Sequence, residues 1–178
     1  MRKILFYILI CYLLSSCIGE APKESDLKGT IENNQFRNKY LSIKIIDDWK
    51  SIPANGEGEF LLLTRDHAQE AKISFFGFKK DLGDKMLYSK EYASQKLIEG
   101  IKADNKELQS SYENKSLTLD GTDFLVTKFT FKAQGETYQM IYYVGEIEDF
   151  YLGVFYTDNI RSKEHLINKV IFSIKFNK

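Results

Sequence analysis

The sequence predicts an α+β fold: an antiparallel sheet of about seven strands with helices on both faces, an α-β-α sandwich. Three observations lead there. The stretch Leu117–Thr157 reads as LTLDGTDFLVTKFTFK, ETYQMIYYVGEI and DFYLGVFYT, runs rich in β-branched and aromatic residues with turn chemistry at Asp120-Gly121, Gln134-Gly135-Glu136 and Glu148-Asp149. Connections this short make an antiparallel meander, because a parallel crossover needs a dozen residues or more. Within Phe150–Thr157, Phe150, Leu152, Val154 and Tyr156 are apolar on one parity and Tyr151 and Phe155 on the other, so both faces of that strand need a cover. Two segments then change to a helical period.

The first folded residues are expected at Phe36. Tyr40–Ile45 alternates, with Leu41, Ile43 and Ile45 on one face, and Asp47-Asp48-Trp49 ends that strand. Trp49, the single tryptophan, fits one edge of a core. After a loop with Pro53, Asn55, Gly56 and Gly58, Glu59–Thr64 is a strand apolar on both faces. A polar turn over Arg65–Glu70 leads to its hairpin partner, Ala71–Phe78. The alternation there shifts phase at Phe75-Phe76, the signature of a bulge. From Met86 to Lys102, Leu87, Ala93, Leu97, Ile98 and Ile101 recur at three- and four-residue spacing, which predicts a helix. Glu107–Leu119 is a strand leading into the meander. A last helix begins near Ser162 with Leu166, Ile167, Val170 and Ile171 as its buried stripe, and Ile174–Phe176 is extended.

The N-terminus carries targeting information. Met1-Arg2-Lys3 is cationic, and Ile4–Leu14 is an apolar run of signal-peptide length, short for a bilayer span. Leu14-Ser15-Ser16-Cys17 follows and resembles the bacterial lipobox. The resemblance implies cleavage before Cys17 and attachment of lipid to its thiol, and two or three acyl chains suffice for stable anchoring. The expected organisation is a lipoprotein signal peptide at 1–16, a lipidated cysteine and flexible tether at 17–34, and one domain at 35–178. The localisation that follows is the bacterial cell envelope, anchored in a membrane. Ile18 after the cysteine favours the outer over the inner membrane in a cell that has both.

Cys11 and Cys17 are the chain's two cysteines, so the mature domain is expected to have neither disulfide nor catalytic thiol. Lys+Arg and Asp+Glu are both 25; losing Arg2 and Lys3 with the leader leaves 23 basic against 25 acidic residues. Nucleic acid is excluded as a partner by this balance.

The segment Phe36-Arg37-Asn38-Lys39-Tyr40-Leu41-Ser42-Ile43 leading to Trp49, Leu119-Asp120-Gly121, and Ile171-Phe172-Ser173-Ile174-Lys175-Phe176 together resemble the PsbP-like superfamily, which includes the DcrB-like bacterial lipoproteins. Asp47-Asp48 stands where that family has a proline before the tryptophan turn. The resemblance covers roughly Phe36 to Phe176 and implies an α-β-α sandwich whose members bind or assemble without shared catalytic residues.

Residue chemistry points the same way. His67 and His165 are about a hundred positions apart, with no HExxH context, and no metal site is expected. No G-x-S-x-G, P-loop or dinucleotide fingerprint occurs, so no cofactor and no catalytic residues are assigned. The acids Asp47-Asp48, Asp81/Asp84 and Glu146/Glu148/Asp149 stand at element ends without calcium-loop spacing. Asn114-Lys115-Ser116 matches a glycosylation sequon by coincidence. Tyr142, Tyr143, Tyr151, Phe155 and Tyr156 crowd the last two strands, and Tyr143, Tyr151 and Phe155 are the candidate binding face. The expected function is a lipid-anchored, non-catalytic binding or assembly module with a protein partner. The alternative is a periplasmic carrier with an apolar pocket between sheet and helix.

Overall fold

The computed structural model describes residues 24–46, 48–56, 58–65, 68–79, 91–92, 95, 99, 111–133, 136–147, 150–159 and 164–177. The leader, Cys17 and His67 lie outside these residues. Helix α1 (Glu24–Leu27) and strand β1 (Thr30–Glu32) open the described chain, within the stretch assigned to the tether. Asn33 and Asn34, at φ 50° and 56°, turn β1 into β2 (Gln35–Arg37). Asparagine tolerates this left-handed geometry, and a two-residue loop of that hand matches strand twist. The strands β3 (Leu41–Lys44), β4 (Trp49–Ile52), β5 (Glu59–Arg65), β6 (Ala68–Lys79), β7 (Ser111–Leu119), β8 (Thr122–Ala133), β9 (Glu136–Ile147) and β10 (Phe150–Asn159) follow. Helix α2 (Glu164–Ile171) and β11 (Lys175–Phe176) close the chain.

Two sheets result. β1-β2-β3-β11 is four-stranded and β4-β5-β6-β10-β9-β8-β7 is seven-stranded, with antiparallel pairing throughout. This corrects the expected α+β sandwich with helices on both faces. The described residues are overwhelmingly strand, and the continuous helices among them are α1 and α2, of four and eight residues. The physical reason lies in what closes the first face of the large sheet: a second sheet and one short helix, where a helical layer was expected. Of the expected Met86–Lys102 helix, Glu91, Tyr92, Gln95 and Glu99 have helical backbone, and Gln95 Nε2 donates to Glu99 Oε1 at 3.1 Å. The remainder lies outside the described residues.

That first face is one continuous core. Leu61, Leu63, Ala71, Ile73 and Phe75 meet Phe124, Ile141, Tyr143, Phe150, Leu152, Val154 and Tyr156 from the middle strands. Phe36, Leu41 and Ile43 of the small sheet and Ile167, Val170 and Ile171 of α2 lie over them. Aromatic contacts join the layers: Phe36 stacks on Phe60 at 5.7 Å, Tyr40 meets Phe150 at 4.7 Å, and Phe176 stacks on Phe124 at 6.2 Å. The α2 stripe is buried as its spacing predicts, with Leu27 of α1 joining the same core. The bulge falls where the alternation shifts: Glu59 pairs with Phe76 and Leu61 with Phe75, leaving Phe60 of β5 as the extra residue. Where the family carries proline, Asp48 instead binds Arg65 (Oδ2 to Nη2, 2.9 Å), and Trp49 N donates to Ile46 O.

The C-terminal strand is held by the β7–β8 hairpin. Asp120 and Gly121, at φ 48° and 84°, form its two-residue turn between the paired Leu119 and Thr122. The Asp120 carboxylate then accepts from Phe176 N at 2.9 Å and from Lys175 Nζ at 3.2 Å. Nearby, Gly145 has no side chain because the Phe124 ring fills that place; a Cβ there would come within 2.5 Å of it. Replacing Asp120 with Ala removes the backbone anchor of β11 and puts a Cβ without hydrogen-bonding capacity at positive φ. Urea unfolding should show a loss of about 1–3 kcal/mol. Asp120→Asn, which keeps the turn and an acceptor, should lose less; equal losses would mean that the charge and not the turn carries the effect.

Candidate functional site

The second face of the large sheet differs in character from the first. Register places Ser74 of β6 beside Phe155 of β10, Phe155 beside Tyr142 of β9, Tyr142 beside Thr127 of β8, and Thr127 beside Asn114 of β7. One cross-strand row therefore crosses five strands. Flanking rows are Phe76, Gly153, Val144 and Leu125 on one side and Lys72, Thr157, Met140 and Phe129 on the other. Alternation fixes these memberships, since side chains two apart on a strand share a face. Phe76, Phe129, Met140, Val144, Tyr151 and Phe155 are all buried.

Tyr142 stands at the centre, 0% exposed, its ring 5.9 Å from that of Phe155 at an interplanar angle of 58°. Its hydroxyl is buried and has no hydrogen-bond partner among the described residues. The neighbouring Thr127 does not serve it, because Thr127 Oγ1 donates to Asn114 Oδ1 at 2.8 Å. Burial raises the Tyr142 pKa far above its ordinary value of 10, because the phenolate has no water or cation to stabilise it. Tyr151 is raised too, first by burial and then by the carboxylates of Glu146 and Glu91. Glu146 is its cross-strand partner, and Glu91 belongs to the short helical stretch described above. A hydroxyl held protonated in this way donates a hydrogen bond; it is no nucleophile or base.

The structure brings Tyr151 and Phe155 to this face and places Tyr143 on the other. Tyr143 pairs with Val154 and packs in the core beneath the small sheet. Tyr143, Tyr151 and Phe155 are 4%, 7% and 6% exposed, so none is an open surface residue. His165 falls within α2. Among the described residues no three His, Cys, Asp or Glu converge as a metal ion would need, and no helix is long and apolar enough to cross a membrane. Asn114 of the sequon is used by Thr127. The residues outside the expected binding face that matter most here are Tyr142, Thr127 and Ser74. A signal for the first was present: a two-residue turn at Glu148-Asp149 pairs positions of opposite parity, which sets Tyr142 against Phe155.

No protein-family model and no curated protein sequence matches this chain. Solved structures do, in 23 chains. A crystal structure from Bacteroides thetaiotaomicron aligns at TM-score 0.54 and 18% identity over 85% of this chain and 48% of that one. The chain thus spans about half the length of that protein. Cyanobacterial PsbP (CyanoP) from Synechocystis, a solution structure, aligns at TM-score 0.58 and 8% identity over 77% of this chain and 86% of its own. LpqN, involved in cell envelope biogenesis of Mycobacterium tuberculosis, aligns at TM-score 0.55 and 10% identity over 78% and 83%. The fold is therefore PsbP-like, and likeness at such identities extends to fold and not to activity.

The buried tyrosines set the alkaline limit of stability. Below pH 10 both folded and unfolded chains keep the Tyr142 proton, so it adds no pH dependence. Above pH 10 the unfolded chain ionises while folded Tyr142 does not, and stability falls as pH rises. Denaturant melts at successive pH values should show this slope, reduced in Tyr142→Phe by up to about 1.4 kcal/mol per pH unit. In the same titration Glu146→Gln should lower the Tyr151 pKa, read by NMR of labelled tyrosine; an unmoved value would leave burial as its sole cause.

Proposed function

We propose that this chain is a non-catalytic binding module of the bacterial cell envelope, held at a membrane by lipid on Cys17. The observation that carries the binding reading is the second face of the large sheet. It is aromatic, it includes Tyr151 and Phe155, and its central hydroxyl is held in the protonated, hydrogen-bonding form. The envelope location is supported by the lipobox Leu14-Ser15-Ser16-Cys17 and by the likeness in fold to LpqN. Because α1 begins at Glu24, the six residues 18–23 separate it from Cys17. Even fully extended, such a spacer reaches about 25 Å. The domain then works close against the bilayer, the outer membrane in a cell with two, and its partner is a protein at that same surface. A second reading, a carrier of a small ligand, is favoured by the unpartnered Tyr142 hydroxyl.

Radioactive palmitate given to cells should label the wild-type protein and leave Cys17→Ala unlabelled and released from washed membranes. Labelling that survives the substitution would rule out lipid attachment at Cys17. Mild crosslinking of native membranes followed by mass spectrometry should recover one protein in near-equal amount. Recovery of the chain alone would favour the carrier reading.

A further inference from the structure

We infer that the second face of the large sheet holds a small, mainly apolar, uncharged molecule whose hydrogen-bond acceptor takes the proton of Tyr142 Oη. This deepens the carrier reading and rests on it. A hydroxyl buried without a partner is a standing penalty that folded proteins avoid, and Tyr142 incurs it at the centre of its sheet face. Among the described residues the other buried polar atoms left without a partner are Trp49 Nε1 and Arg65 Nε. Those two residues pair with each other on β4 and β5, at one edge of the sheet. The exposed apolar residues Ile31 and Phe172 are isolated and mark no patch.

The row around Tyr142 specifies the ligand's chemistry. A tyrosine hydroxyl lies much farther from its strand than the hydroxyl of threonine or serine, so Tyr142 Oη projects past the layer of Thr127 and Ser74. Its acceptor must come from above the sheet and not from within the row. A lone water is a poor candidate, since a buried water needs two to four polar partners. The residues flanking Tyr142 on its strand face are Met140 and Val144, and across strands Phe155 and Thr127, whose hydroxyl is already committed to Asn114. The surroundings therefore fit an apolar body carrying an acceptor such as a ketone, ester or ether oxygen. The row Ser74, Phe155, Tyr142, Thr127 and Asn114 contains no charge, so an anionic headgroup would be left uncompensated there. Ser74, two strands away across the Phe155 ring, offers a second hydroxyl about 10 Å from Tyr142 along the sheet.

The test uses the full chain purified from membranes and 6-propionyl-2-dimethylaminonaphthalene, a flat apolar probe with one ketone. Titration followed by native mass spectrometry should show a single adduct. Tyr142→Phe, which removes only the hydroxyl, should weaken it about fivefold to tenfold. Without probe, the Phe variant should melt at or above the wild-type temperature, because it deletes an unsatisfied group. Three results would overturn the inference: no adduct on the wild type, equal affinity in both proteins, or an unliganded Tyr142→Phe that melts lower, which would mean that the hydroxyl already has a partner. Unlabelled protein in the palmitate experiment would remove the anchor and leave this site standing, and an absent adduct would remove the site and leave the anchor.

Discussion

Every other element answers to the burial of β10. It is the middle strand of seven, hydrogen-bonded to β6 on one side and β9 on the other, and each residue from Phe150 to Thr157 is buried. A strand with no wet face forces a cover on both sides of the sheet, because its backbone is paired and its side chains alternate into two separate interiors. One interior is closed by the small sheet and α2. That closure explains why the chain's last strand, β11, returns to pair with β3, and why Asp120 and Phe124 reach from the β7–β8 hairpin to hold it. Tertiary contacts thus tie residues more than fifty positions apart at the rim of a single core.

Much of this was legible in the sequence. The Asp120-Gly121 turn, the three long strands of the meander and the α2 stripe of Ile167, Val170 and Ile171 follow from turn chemistry and periodicity alone. The phase shift at Phe75-Phe76 located the bulge correctly, though the extra residue is Phe60 on the neighbouring strand, which periodicity of β6 could not reveal. What was not legible is the small sheet. β1 is a three-residue edge strand with every residue exposed, so it carries no hydrophobic alternation and reads as polar tether. β11 has two residues. Strands this short are defined by their partners and not by their own composition, and the apolar face they cover was assigned to helices instead. The turn residues Asn33-Asn34 were the one local mark.

The candidate site shows a second limit. Tyr143, Tyr151 and Phe155 share odd numbering, which suggests one face if strands are read singly. The register sets Ile147 opposite Phe150, so odd positions of β9 share a face with even positions of β10. Tyr143 then belongs with Val154, and Tyr142 with Phe155. Parity across a hairpin is a property of the turn length, and composition on either strand is silent about it. This is why an aromatic cluster visible in the sequence resolves into two groups, one structural and one at the centre of the other face.

The two faces differ in a way that stability alone does not require. On the first, aromatic rings fill the space between layers, and Gly145 is kept small to admit Phe124. The buried tyrosines there, Tyr143 and Tyr156, are engaged with neighbours. On the second, the central tyrosine leaves its hydroxyl unsatisfied while a fully buried threonine beside it spends its own on Asn114. Phenylalanine at position 142 would fill the same volume without a buried polar atom to satisfy, and the sheet already accepts phenylalanine at its neighbours 76, 129 and 155. A hydroxyl retained where packing would prefer none is the mark of a group kept for a partner outside the described core. It also places function on the face that the chain's own sheet and α2 do not cover.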